Sequence, residues 1–227
     1  MTDELLSTLL AGGVLVEADA DGELSFGEDF LNRVTERTDR VEGDKWEQAF
    51  ADGVTRGEAY RDAFAAVADR TPELLGTYWA LDDALDGVSF SELLQLLVVV
   101  DRFRYPPEET AGTPEGFLAV RGDRVPGLVE FVRHGVVYVW REDCDPCDVM
   151  AEQFAELHGR TDDAVRLAVY GPPWAAELHE VFDVGGAPTT LFVANGRVDA
   201  RLVGAYKAEH VASELETAKE SSAATPD

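Results

Sequence analysis

The apolar run Val136-Val137-Tyr138-Val139-Trp140 is followed, after three charged residues, by the chain's two cysteines, Cys144 and Cys147. Such a run reads as a buried strand, and the C-x-x-C behind it as the start of a helix, with Pro146 at a position whose missing N–H the first turn does not use. A strand that ends in C-x-x-C and feeds a helix is the sequence form of a dithiol/disulfide site. Spacing i,i+3 on a first turn puts both sulfurs on one face, close enough to join. The free N–H groups of a helix start favour thiolate on Cys144. Glu142, Asp143, Asp145 and Asp148 act against it, because nearby negative charge disfavours thiolate. Thiol–disulfide exchange is the expected chemistry; the rival readings are an inert buried dithiol and half of a metal site. No second C-x-x-C exists, and His134, His158, His179 and His210 lack ligand spacing, so no metal is expected.

The surrounding pattern extends the fold argument. From Gly116 onward the expected order is a strand at 117–120, a helix at 126–134, the strand at 136–140 and a helix at 146–158. A strand at 165–170, a helix at 174–182, a hairpin from Thr189 to Val203 and a helix from Ala208 to about Lys219 follow. Asn195-Gly196 supplies the hairpin turn, and Pro188 stands at the mouth of its first strand. Strands alternating with helices and closing on an antiparallel hairpin predict an α/β fold, a mixed sheet covered on both faces.

On Trp140, Cys144, Pro146 and Cys147 after a central strand, and on Pro188 and the Asn195-Gly196 turn further on, residues 116–220 resemble the thioredoxin family. The resemblance implies a thioredoxin-like sheet flanked by helices and a protein-disulfide reductase, or thiol–disulfide oxidoreductase, activity. It makes Cys144 the exposed nucleophile and Cys147 the resolving thiol. Trp140 would pack under the active-site loop, with Asp145 and Pro146 between the cysteines. Pro188, in cis, would keep the backbone of Ala187 open to an extended substrate peptide. No cofactor beyond the Cys144–Cys147 pair is implied, and the partners are disulfide-containing client proteins and a reductase. Where the family usually places a buried aspartate, a tryptophan and a glycine, this chain has Tyr138, Asp143 and Asp145.

Formal charge is −26, with acids spread along the whole length and lysine reduced to Lys45, Lys207 and Lys219. This suits a surface kept hydrated in concentrated salt, so a halophilic cytoplasm is the expected setting. Phosphate-backbone binding is not expected of so acidic a chain, which argues against nucleic acid. The start Met1-Thr2-Asp3-Glu4 lacks the positive charge of a secretory signal, and the run Leu93–Val100 is too short to span a membrane. A reducing cytoplasm makes a lone cysteine pair a cycling one.

Residues 105–115, rich in Pro, Gly and charge, read as a linker, and 221–227 as a disordered tail. Residues 1–104 read as a helical accessory domain, with helices expected at 29–41, 44–52, 55–69, 71–85 and 89–103. Trp46, Phe50, Tyr60, Phe64, Leu74, Tyr78, Trp79, Leu93, Leu97 and Val100 are its expected core. The acidic stretch 17–28 nearly fits a calcium loop, with Gly22 at position six and Glu28 at twelve, but Val14–Val16 and Leu24–Phe26 around Asp21-Gly22 read better as a β-hairpin. The alternative to an enzyme is a non-catalytic thioredoxin-like scaffold, or a redox-sensing adaptor or regulator that binds partners through the helical domain. The sequence assigns no oligomeric state.

Overall fold

The structure is a computed structural model that describes residues 3–17, 23–41, 46–47, 61–157 and 164–223. The chain divides into two compact units, 1–104 and 105–227.

In the first unit, helix α1 (Asp3–Ala11) turns at Gly12-Gly13 into strand β1 (Leu15–Glu17), which pairs antiparallel with β2 (Leu24–Phe26), Leu15 opposite Phe26. This is the expected hairpin; residues 18–22 of the calcium-loop match lie outside the described residues. Strand β1 occupies the place where a calcium loop would have its entering helix. Helices α2 (Glu28–Val41), α3 (Arg61–Arg70), α4 (Pro72–Ala84) and α5 (Phe90–Arg104) follow. The helix expected at 44–52 lies almost wholly outside the described residues, as do the first residues of 55–69.

Helix α4 is buried from Leu74 through Leu81, and a helix apolar on every side belongs at the centre of its unit. Gly76 lets α2 approach, since a Cβ there would stand 2.8 Å from the Thr38 backbone nitrogen. Phe64 stacks on Trp79 at 5.9 Å and meets Tyr78 edge-on at 5.1 Å. With them Leu74, Leu93, Leu97 and Val100 are buried as expected. Trp46 is only half-buried, and Phe50 and Tyr60 lie outside the described residues.

The second unit contains β3 (Leu118–Val120), α6 (Val125–Glu130), β4 (His134–Trp140), α7 (Asp145–Glu156), β5 (Val165–Tyr170), α8 (Ala175–Phe182), β6 (Thr189–Ala194), β7 (Arg197–Val203) and α9 (Ala208–Ala223). The sheet order is β3-β5-β4-β6-β7, with β3, β5 and β4 parallel and β6 and β7 antiparallel to their neighbours. Strand β4 is therefore central, which accounts for its continuous apolar run. Val136, Tyr138 and Trp140 share one core with Met150 and Phe154 of α7 and Val211 and Leu215 of α9. Val137 and Val139 take the opposite face.

Two expectations are corrected. The helix at 126–134 stops at Glu130, and His134 opens β4. The carbonyls of Arg133 and Val132 accept the N–H groups of Asn195 and Gly196, at 2.7 and 2.9 Å, which ties the segment between α6 and β4 to the hairpin turn. The last helix runs on to Ala223: Ser222 is buried, and the Ser221 hydroxyl donates to Asp199 at 3.3 Å. Residues 224–227 lie outside the described residues. In the 105–115 segment, which groups with the second unit, Gly112 lies so close to the Trp140 ring that any Cβ would overlap it.

Candidate active site

Strand β4 delivers Trp140 to its C-terminal end, and after Arg141, Glu142 and Asp143 the chain enters α7 at Cys144. Asp143 makes the bend in the left-handed region, at φ 50°, a conformation that a short polar side chain tolerates better than most. Cys144 is then the N-cap of α7, at φ −136° and ψ 85°, and Pro146 lies in the first turn. The Cys144 carbonyl accepts the amides of Cys147 and Asp148 at 2.8 and 3.2 Å. This tight turn brings the cysteines' Cα atoms to 5.2 Å, and the two are joined by a disulfide.

Both sulfurs are nearly covered: Cys144 is 5% and Cys147 4% exposed. The expectation of a solvent-facing Cys144 is thus corrected. The first turn of α7 lies on the sheet within the core that holds Trp140 and Met150, and the segment before β6 passes over it. That segment carries the cis Ala187–Pro188 bond and puts the Ala187 carbonyl 3.8 Å from Cys144 Sγ. In the disulfide form Sγ has no proton to give, so this is a contact; in the thiol form S–H has an acceptor waiting.

The loop is held from both sides. Helix α8 closes with Asp183 at φ 53°, whose amide donates to the His179 carbonyl at 2.9 Å, while the Val184 amide reaches Leu178 at 3.2 Å. Arg201 of β7 donates to the Asp183 carbonyl at 3.0 Å and to its carboxylate at 3.1 Å. Thr189 ties its hydroxyl to the Gly186 carbonyl at 2.7 Å, and the Gly204 amide bonds the Pro188 carbonyl at 2.8 Å.

Among the expected site residues, Trp140, Cys144, Cys147 and Ala187 meet in one cluster. Pro188 is buried beside Ala187, whereas Asp145 and Pro146 are exposed on the first turn of α7. Glu142, Asp143, Asp145 and Asp148 are exposed around the pair. Tyr170 packs against Trp140 with tilted rings, centroids 5.1 Å apart, and donates to Glu142 at 3.2 Å. Desolvation first, and then the Glu142 charge, hold its phenol above the ordinary value.

Two features escaped the sequence. Tyr138, noted there only for standing where the family has an acid, sends its hydroxyl to the Cys147 carbonyl at 2.9 Å. A groove of about 480 Å³ lies between Trp140 and the Ala187 loop, lined also by Gly171, Leu178, His179 and Gly186 among others. Gly185-Gly186 before a proline was its one visible trace. Among the described residues no group of three or more His, Cys, Asp or Glu side chains is placed to hold a metal ion.

The thioredoxin family model matches residues 128–217. Thioredoxin f2 of Chlamydomonas reinhardtii is 21% identical over 45% of this chain and 96% of its own, with a TM-score of 0.40. Spinach chloroplast thioredoxin f, short form, is 19% identical over 45% and 93%, at 0.41. Oxidized mitochondrial thioredoxin 3 of Saccharomyces cerevisiae is 14% identical over 44% and 94%, at 0.40. No curated protein matches the chain.

Proposed function

We propose, from the premise that residues 128–217 form a thioredoxin domain, that this chain is a thiol–disulfide oxidoreductase working through Cys144 and Cys147. The observation that carries the reading is the Cys144–Cys147 disulfide at the start of α7, with a backbone carbonyl laid against its first sulfur. In the reduced form the Cys144 thiolate attacks one sulfur of a client disulfide, and the first client thiolate leaves. The Cys147 thiolate then attacks Cys144 Sγ, the S–S bond to the client breaks, and the second client thiolate leaves. Two electrons pass to the client, and an external thiol donor returns them.

The exposed backbone at Gly185 and Gly186 and the groove beside it suit an extended client segment carrying an apolar side chain. Disulfide-containing proteins and a reductase are the partners in this reading, with no cofactor besides the protein's own pair. A reducing, high-salt cytoplasm is the setting that the acid excess supports. No helix among the described residues is long and apolar enough to cross a membrane.

Insulin reduction by dithiothreitol in molar salt is the test. Wild type is expected to accelerate it and Cys144→Ser to lose the acceleration; equal rates for the two would remove the activity. The low exposure of both sulfurs favours one rival, a scaffold whose pair stays closed. Thiol labelling across a series of redox buffers separates them, because a scaffold remains in a single state.

A further inference from the structure

Tyr138 lies wholly inside the core, at 0% exposure, between Phe154 at 5.1 Å and Phe117 at 6.3 Å, both edge-on. Its ring is thus held in one orientation. At its tip the hydroxyl donates to the carbonyl of Cys147, 2.9 Å away. A carbonyl oxygen has two lone pairs, so this bond adds to the helical ladder of α7 and does not replace a member of it. Burial and the Asp148 charge push the phenol far above its ordinary value, so the donor proton is present throughout the neutral range.

We infer that Tyr138 is a positioning residue for the second sulfur: it pins the backbone of Cys147 to the central strand and so keeps Cys147 Sγ within reach of Cys144. The argument runs along one short chain of atoms. Cys144 belongs to the turn that enters α7, and its place is set by the bend at Asp143 and by the loop at Ala187. Cys147 is one turn further on. Its amide is tied to Cys144, and its carbonyl is tied to β4 through the phenol. Losing the second tie lets the first turn of α7 rock on the sheet. Rocking changes how often the two sulfurs meet; it leaves Cys144 itself in place. The effect therefore falls on closure of the pair and spares the first attack. One net hydrogen bond corresponds to about a two- to tenfold change in such an equilibrium.

The inference rests on the exchange reaction proposed above, but its test reads only the protein's own pair. In glutathione buffers two protein thiols and one glutathione disulfide give one protein disulfide and two glutathiones. Two electrons move from the protein to glutathione, and the two thiol protons end on the glutathione sulfurs. The equilibrium between the reduced and closed forms, read by mass spectrometry after alkylation, measures how readily Cys147 reaches Cys144.

Tyr138→Phe is expected to disfavour closure about two- to tenfold. In a Cys147→Ser background the same change is expected to leave the rate of Cys144 attack on a small disulfide within twofold. Phe117→Leu, which loosens the same aromatic contacts without touching the hydroxyl, controls for packing: it lowers the melting temperature and leaves closure unmoved. Closure in Tyr138→Phe within twofold of wild type overturns the inference, as does an equal loss in both half-reactions or a Phe117→Leu effect of the same size. A pair that closes normally in wild type but reduces no insulin counts against the proposed activity and leaves the role of Tyr138 standing.

Discussion

Asp143, at φ 50°, and the cysteine that follows it show how local conformation and charge compete within a few residues. The bend seats Cys144 at the start of α7, where free N–H groups favour negative charge, yet it also gathers Glu142, Asp143, Asp145 and Asp148 around the same sulfur. Two of these acids, Asp145 and Asp148, sit in the first turn of α7 and stabilise the helix while opposing the thiolate. Replacing both with asparagine keeps the side-chain shape and removes two negative charges. Alkylation of Cys144 by iodoacetamide at neutral pH is expected to speed up roughly two- to tenfold. A rate that is unchanged or lower would show that the carboxylates are too well hydrated to act on the sulfur.

At the scale of the element, side chains decide where helices begin. Helix α5 starts at a reciprocal cap: the Ser89 amide and hydroxyl donate to the Glu92 carboxylate at 2.9 and 2.5 Å, and the Glu92 amide donates to the Ser89 hydroxyl at 3.3 Å. The Ser89 hydroxyl first, and its amide second, hold the Glu92 carboxyl below its usual value. A carboxylate depressed in the folded state adds stability above its unfolded value, and that stability is lost as pH falls through the folded one. Glu92→Gln is therefore expected to lower the urea midpoint at pH 7, with the gap to wild type closing as pH drops through the carboxylate range. A gap that stays constant with pH would mean that the charge contributes nothing. The hairpin obeys the same local logic: Asn195 and Gly196, at φ 48° and 76°, form a turn that matches the twist of β6 and β7.

For the whole molecule, a charge of −26 sets the conditions under which all of this operates. Unscreened, so many acids repel one another across both units; the Debye length falls from about 10 Å at 0.1 M to about 3 Å at 1 M salt. The melting temperature is expected to rise between 0.1 and 2 M potassium chloride. Relief of about 2 kcal/mol of repulsion moves the midpoint of a chain this size by roughly 4–8 °C. A flat or falling curve would show that the acids are spaced too widely to matter.

Much of the second unit was legible because its signals are local. The β4 run followed by C-x-x-C, Pro188, the Asn-Gly turn and the alternation of strand with helix each depend on neighbours in the chain, so order and chemistry followed from them. Composition, likewise, needs no fold to be read. Other features depend on residues far apart in sequence. The segment after α6 is tied by hydrogen bonds to a turn some sixty residues later, and α9 is anchored beyond Lys219 by that same hairpin. The packing of Gly112 under Trp140 and the near-complete burial of both sulfurs also required the folded chain. Tyr138 illustrates the division most directly: its sequence position made it a strand residue in place of an acid, and only the tertiary structure aimed its hydroxyl at Cys147.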